Sequence, residues 1–320
     1  MKKLSRLAVL ALPALACVSS VPALGQDYPN KPMRFIVGPG PDVLARLIGQ
    51  KLTESWGQQV VVDQRPAVGG MIAADSVAKS PPDGHTLLLS TATYTTLMNL
   101  YPKVPYDFVK DLAPVSLLAS LQFLLVVHPS LPVKSTAELV ALARAKPGQL
   151  NYASAGIGAT SHLSHELLNK MAGMKTVHVP YKGTVPGVVD LLSGRIQYML
   201  GIIQGVLPHV KAGKLRALAV SGAKRSASVP ELPTISDSGV PGYEFTSWNG
   251  VHVTAGTPKA SIDKLHAELV RILTLPDVKK RMFELGMDQV GSTPAVLGAL
   301  VNSNIENWGK LIRELGLRVE

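Results

Sequence analysis

Cysteine is almost missing from the chain: Cys17 is the only one, and it stands inside an apolar N-terminal segment. A single thiol excludes an intrachain disulfide, a cysteine-built zinc site and an iron–sulfur cluster, so stability has to come from hydrophobic burial. Long apolar runs are also scarce, and the one at residues 7–18 is shorter than the roughly 20 residues a bilayer-spanning helix needs. Acidic residues are outnumbered, 22 against 32 Lys and Arg. The basic residues form no dense run and are not interleaved with aromatics, which make up 5% of the chain, so no nucleic-acid footprint is drawn. A mild positive field of this kind suits small anions.

Catalytic signatures are lacking too. Gly38-Pro39-Gly40 has no third glycine at Val43, and its prolines remove N–H donors, so it makes no dinucleotide fingerprint. Around Ser154, the place where a nucleophile elbow wants glycine is taken by Tyr152, whose side chain crowds the turn. His162, His165 and Glu166 are not in the order of a zinc motif and have no third ligand in view; their spacing places them near a helix start on a partly polar face. No phosphate-binding Walker loop and no paired acidic motif occurs. The expectation is a protein without catalytic residue, metal or cofactor.

Lys2, Lys3 and Arg6, the apolar run, and the small residues Ala23 and Gly25 make residues 1–25 a secretory signal peptide, cut before Gln26. Ala14, three positions before Cys17, is a poor match to a lipoprotein signal, so the cleaved chain is expected to be unanchored and free of cysteine. Its length suits two domains.

The stretch 151–162 organises the reading. Residues 150–153 have the character of a short buried strand, 154–158 of a small-residue turn, and 160–172 of a helix opening on hydroxyls. Such a unit aims backbone N–H groups and the positive end of a helix dipole at one point, a place for a carboxylate or phosphate. Gly156 and Gly158 could equally make only a tight turn, with Thr160 or Ser161 merely capping the helix, and the local sequence leaves both readings open.

Similar units recur: a strand at 33–37 with a turn at 38–41 and a helix from a capping Asp42, strands at 59–63 and 86–90, and helices at 71–79 and 135–145. Beyond the opening stretch come strands near 176–179, 196–200 and 215–221 and helices at 185–192 and 203–212, with three helices closing the chain from 259. Solid apolar strands alternating with helices predict an α/β fold with parallel sheets covered on both faces. Two long apolar strands, 121–128 and 245–254, are expected to cross between two doubly wound lobes. One lobe is 26–125 with 247–320, the other 126–246. The turns at 38–41, 91–93 and 154–161 lie at strand carboxyl ends and should face one another across a cleft. Tyr181 and Trp248 could wall that cleft or could be ordinary packing.

A set of motifs then resembles a known family. Arg65-Pro66 with Gly69-Gly70, Pro82-Asp83-Gly84, Pro105-Tyr106-Asp107, His128-Pro129, Lys146-Pro147-Gly148, the whole of 151–162, Pro180-Tyr181-Lys182-Gly183, Ser247-Trp248 and Ser292-Thr293-Pro294 are together similar to the Bug family, the TctC-like periplasmic substrate-binding proteins of tripartite tricarboxylate transporters. The resemblance covers essentially all of the chain after the signal peptide. It implies a periplasmic binding protein of the type II class, a monomeric Venus-flytrap receptor without enzymatic activity. Such a receptor captures a small carboxylate (a di- or tricarboxylate or an aromatic acid) by lobe closure and delivers it to membrane permease subunits. Carried over by position, the ligand-binding residues are Gly38, Pro39, Gly40, Thr91, Thr93, Ser154, Ala155, Gly156, Thr160, Ser161 and Tyr181. A periplasmic sensor for a membrane signalling partner would share the fold, and an esterase using Ser154 is the remaining alternative. Two departures shape the expected ligand. The first turn is short, ending at Pro41, and Leu200-Gly201-Ile202 stands where relatives often carry an aspartate, which removes a partner for a ligand amine. A carboxylate without an amino group is expected, with an apolar or aromatic body.

Overall fold

A computed structural model describes residues 28–38, 42–65 and 70–318. The signal peptide read at residues 1–25 lies outside them. Twenty elements follow in chain order: β1 (Met33–Val37), α1 (Val43–Trp56), β2 (Val60–Gln64), α2 (Met71–Ala78), β3 (Thr86–Thr91), α3 (Ala92–Leu100), β4 (Leu112–Val127), α4 (Thr136–Ala145), β5 (Asn151–Ser154), α5 (Thr160–Ala172), β6 (Val177–Pro180), α6 (Thr184–Leu192), β7 (Tyr198–Ile202), α7 (Ile203–Lys211), β8 (Arg216–Val220), β9 (Thr246–Thr254), α8 (Lys259–Thr274), α9 (Pro276–Glu284), β10 (Met287–Gln289) and α10 (Pro294–Glu314).

The strands run in the order β2-β1-β3-β9-β4-β7-β5-β6, with β8 and β10 also on β4. β4 joins two α/β lobes. Its first part, to Gln122, pairs with β9 and β10, and from Phe123 onward it pairs with β7 and β8. The partner change falls a few residues before Val126, where the sequence put the crossing. The return is also shorter than expected: β9 starts at Thr246 and pairs only with β3 and β4, while Phe245, just before it, still donates its N–H to Ser221 O in the second lobe at 2.8 Å. The sheets are mixed rather than parallel throughout. β1 pairs in parallel with β2 and β3, and β5 with β6 and β7, but every β4 pairing and β3–β9 are antiparallel. A strand that passes from one lobe into the next has no helical crossover to reverse it, so its neighbours meet it head to tail.

Each lobe has its own core. Phe35, Ile48, Leu87 and Leu269 belong to the first, and Tyr152, Leu163, Tyr198 and Phe245 to the second. Leu100 of α3 and Ile312 of α10 pack into the second lobe's core although their helices belong to the first. The Thr96 hydroxyl donates to Gly158 O at 2.8 Å across the same seam. Three elements escaped the sequence reading: α3, the first half of β4 and the short β10. Asp42 sits at the start of α1 but its carboxylate does not cap the helix; it pairs with Arg46 at 2.6 Å.

Candidate functional site

Between the lobes lies a cleft of about 1130 Å³. Of the eleven residues expected at the site, Gly38, Thr91, Thr93, Ala155, Gly156, Thr160, Ser161 and Tyr181 line it. Pro39 and Gly40 fall outside the described residues. Ser154 is fully buried and is not a wall residue: its hydroxyl is 2.6 Å from His178 Nε2, and it also accepts the Gly156 N–H at 3.1 Å. The last residue of β5 thus turns its side chain into the lobe, where the imidazole holds it. Among the described residues no carboxylate bonds His178, the position from which a third group would orient a base for nucleophilic chemistry.

The opening stretch folds as strand, turn and helix, but its donors are distributed differently from expectation. The Ala155 N–H donates to Ser161 Oγ at 3.0 Å, the Gly158 N–H to His162 Nδ1 at 3.1 Å, and the Ala159 N–H to Gly156 O at 3.2 Å. With Gly156 bonded to Ser154, these turn amides are used inside the turn. What faces the cleft is the start of α5, which has no side-chain cap, together with the hydroxyls of Thr160 and Ser161. The Ser161 oxygen accepts from Ala155, which leaves its proton free to donate outward. Neither Thr160 nor Ser161 is the cap; Ala159 holds that position.

His162 and His165 are buried rather than on a polar face. His165, Tyr152, His178 and His162 form one stack, with ring centroids 4.2, 5.0 and 3.9 Å apart in succession. His165 donates from Nδ1 to Ser161 O at 2.6 Å and accepts the Leu200 N–H at Nε2 at 2.8 Å, which fixes it as the neutral tautomer. Burial lowers His162 and His165 to about 3 and His178 to about 4. His162 and His165 therefore each give a lone pair, the first to the Gly158 N–H of the cradle and the second to the Leu200 N–H of the adjoining β7. Within the stack, the Tyr152 hydroxyl donates to Glu166.

Tyr181 lines the cleft with its ring, and its hydroxyl donates to Asp190 at 2.7 Å; burial and then that carboxylate raise it to about 12, so it remains a neutral donor. Trp248 packs instead of walling the cleft: it is buried and its Nε1–H donates to Asn304 at 2.8 Å. The sequence reading passed over Ser247, Asn249, Thr184 and Gln204 as site residues, and over the apolar Leu121, Phe123 and Met199, all of which line the cleft. For Leu121, Phe123, Ser247 and Asn249 the local signal was the alternation of β4 and β9, which puts residues 121 and 123, and 247 and 249, on one face. Arg65 and Lys182 are the charged residues among the described lining, and no Asp or Glu is among them. Among the described residues no cluster of His, Cys, Asp or Glu could hold a metal ion, and no helix is long and apolar enough to cross a membrane.

A family model described as the tripartite tricarboxylate transporter family receptor, TctC, matches residues 44–317. The chain is 40% identical to a UPF0065 protein in the tcbD-tcbE intergenic region of Pseudomonas sp. strain P51, over 98% of this chain and 96% of that protein. The structure of R. palustris Rpa4515 with adipate is similar at a TM-score of 0.86 and 36% identity, covering 91% of this chain and 99% of that one. MatC from Rhodopseudomonas palustris with bound malate is similar at 0.81 and 31%, covering 89% and 100%. The motifs read from the sequence, the two-lobed fold around a cleft and these matches agree: the chain belongs to the TctC family of tripartite tricarboxylate transporter receptors, which are solute-binding proteins.

Proposed function

We propose that the protein is a periplasmic receptor that captures a small carboxylate lacking an amino group and delivers it to the permease subunits of a tripartite tricarboxylate transporter. One observation carries the reading: the cleft joins the uncapped start of α5, the Thr160 and Ser161 hydroxyls and the two cations Arg65 and Lys182, with no acidic residue among its described lining. Hydrogen bonds to a charged oxygen contribute on the order of 1.5–3 kcal/mol each, so a few such donors hold a carboxylate without a buried arginine. A ligand ammonium would find no anionic partner there and would lose its hydration uncompensated. The adipate and malate bound by the two R. palustris relatives belong to the same chemical class. The periplasmic location rests on the family and on the signal peptide read at residues 1–25. Capture by closure, with lobes 26–125 plus 247–320 and 126–246 moving about β4 and the chain before β9, fits a cleft walled from both lobes.

A calorimetric and thermal-shift screen of aliphatic and aromatic mono-, di- and tricarboxylates, with aspartate and glutamate included, tests this. Tight binding of non-amino carboxylates is expected. Tighter binding of aspartate or glutamate refutes the amine exclusion, and binding of no carboxylate refutes the reading.

A further inference from the structure

A second concavity, of about 370 Å³, lies at the far end of α7 from the cleft. Its floor is apolar, built by Leu207 and Val210 of α7, Leu215 before β8, and Val229 and Leu232 of the loop after β8. Among the described residues β8 pairs with no strand but β4, and the 233–235 segment joins its other side only at Val220, which donates to Pro233 O and accepts the Ile235 N–H, both at 2.9 Å. Arg216 and Ala217, short of that bridge, line the groove with an open backbone edge. An open strand edge beside an apolar groove is the setting in which an extended segment adds as a further strand and seats a side chain in the groove.

Charge around the groove is one-sided. Residues 126–246 carry 12 Lys and Arg against 6 Asp and Glu, whereas 26–125 and 247–320 carry 17 against 16. Lys211 and Lys214, in the turn from α7 to β8, and Lys224 and Arg225, in the loop beyond β8, are exposed, and among the described residues the ion pairs of 126–246 are made by Lys170 and Arg195 instead. Arg225 leans on the groove's rim, donating to Pro230 O at 3.1 Å, and Glu231 is the one acid in the described lining.

We infer that this groove docks an extended, acidic segment of the transporter's membrane subunits, with an apolar side chain seated between Leu207 and Leu232 and carboxylates facing the four cations. This rests on the delivery reading above and gives that step a surface. A basic or neutral segment would leave the rim unmatched. α7 links the groove to the ligand. Ile202 and Gln204 line the cleft where the helix starts, nine residues and about 13 Å from its other end. Ile203 also packs so close to Gly286 of the first lobe that a Cβ there would lie 2.6 Å from it. A partner held beside Lys211 therefore bears on a helix that touches the cleft and both lobes.

Interferometry against permease subunits in nanodiscs, and against empty nanodiscs of the same anionic lipid, tests this in the presence of a saturating carboxylate from the screen above. Four proteins are compared: the unsubstituted chain, Lys211→Glu with Lys214→Glu, Ala217→Trp, which fills the groove beside the β8 edge, and Lys279→Glu with Lys280→Glu on α9 as a control face. Reversal at 211 and 214 is expected to weaken docking tenfold or more, with Ala217→Trp acting in the same direction. The α9 reversal should stay within twofold, and carboxylate affinity in calorimetry should be unchanged in all four. Docking unaltered by the first reversal, or weakened equally by both reversals, overturns the surface while capture and delivery stand. Binding to empty nanodiscs as strong as to loaded ones marks a membrane contact and overturns it too. An unsubstituted chain that binds a carboxylate but not the permease overturns docking and delivery together and leaves capture intact.

Discussion

Mild acid should destabilise this protein through its histidines before its carboxylates matter. Burial holds His162, His165 and His252 at about 3 and His178 at about 4, against 6.5 for an ordinary imidazole. In the unfolded chain all four take up a proton near pH 6.5, whereas the folded chain refuses it until much lower pH. Between pH 6.5 and about 4 the unfolded state binds more protons, so stability is fully present above 6.5 and falls as pH drops through that window. Each group contributes a slope of about 1.4 kcal/mol per pH unit. At pH 5 that amounts to roughly 2 kcal/mol for each of the enclosed His162, His165 and His252, and less for the partly exposed His178, whose charge water screens, a total comparable with the lower end of the 5–15 kcal/mol of a typical fold. Carboxylates that Arg side chains hold low, such as Asp63, lose their contribution only at more acidic pH, so the two windows separate. Urea unfolding followed by circular dichroism at several pH values from 8 to 5 measures the slope. His252→Gln, remote from the α5 cradle, removes one titrating group and should flatten the curve in proportion. Stability that stays constant from pH 6.5 to 5 would refute the reasoning, because neutral enclosed imidazoles cannot avoid this linkage.

Three further outcomes follow from the geometry. Ser161→Ala removes an outward donor and the partner of the Ala155 N–H, and should weaken carboxylate affinity about tenfold, roughly 1.4 kcal/mol, in calorimetry while the protein stays folded. Gly158→Ala should cost about 2 kcal/mol or more in urea unfolding, because Gly158 has φ +75° and an added Cβ would lie 1.9 Å from Leu100 Cδ1 across the lobe seam. Tyr94→Phe should raise stability by about 1 kcal/mol in thermal unfolding, since the Tyr94 hydroxyl, enclosed beneath Gly38 and Gly70, has no hydrogen-bond partner among the described residues; a lowered Tm contradicts that account.

Legibility in the sequence followed locality. The strand, turn and helix units of β1–α1 and β5–α5 were readable because each is written in one short window, an apolar strand, small residues and a periodic helix. α3 was not, because its threonines have little helix propensity; burial favours the helix, the Thr95 hydroxyl donates to Ala92 O at 2.7 Å, and the Thr96 hydroxyl is shared between Thr93 O at 2.7 Å and Gly158 O at 2.8 Å. The first half of β4 contains Pro114, Ser116 and Ser120, which interrupt its apolar pattern, and the register shift between Pro114 and Ser116 is what admits the proline to a strand. Ser154 was misplaced for a different reason. Composition marks a small hydroxyl at a strand end, but which way it points depends on His178, contributed by β6.

The two ends of the cleft also differ in how far they are fixed in advance. At the α5 end, side chains hold the turn amides of Ala155 and Gly158 and the neighbouring Leu200 N–H; two of those tethers, on His162 and His165, anchor in the stack of rings that also holds the Ser154 hydroxyl through His178. The turn that carries Thr160 and Ser161 is fixed in this way, so the hydroxyls facing the cleft lose little freedom when an anion arrives. At the β9 end, Thr91, Ser247 and Asn249 carry no such tethers among the described residues and keep rotamer freedom until something engages them. Substitutions there change what the far end of a ligand meets without touching the folded network around α5. Selectivity among carboxylates can therefore vary at β9 while capture of the carboxylate itself stays with Thr160 and Ser161 at the start of α5, and a shift in ligand preference is expected from Asn249 sooner than from any residue of the cradle.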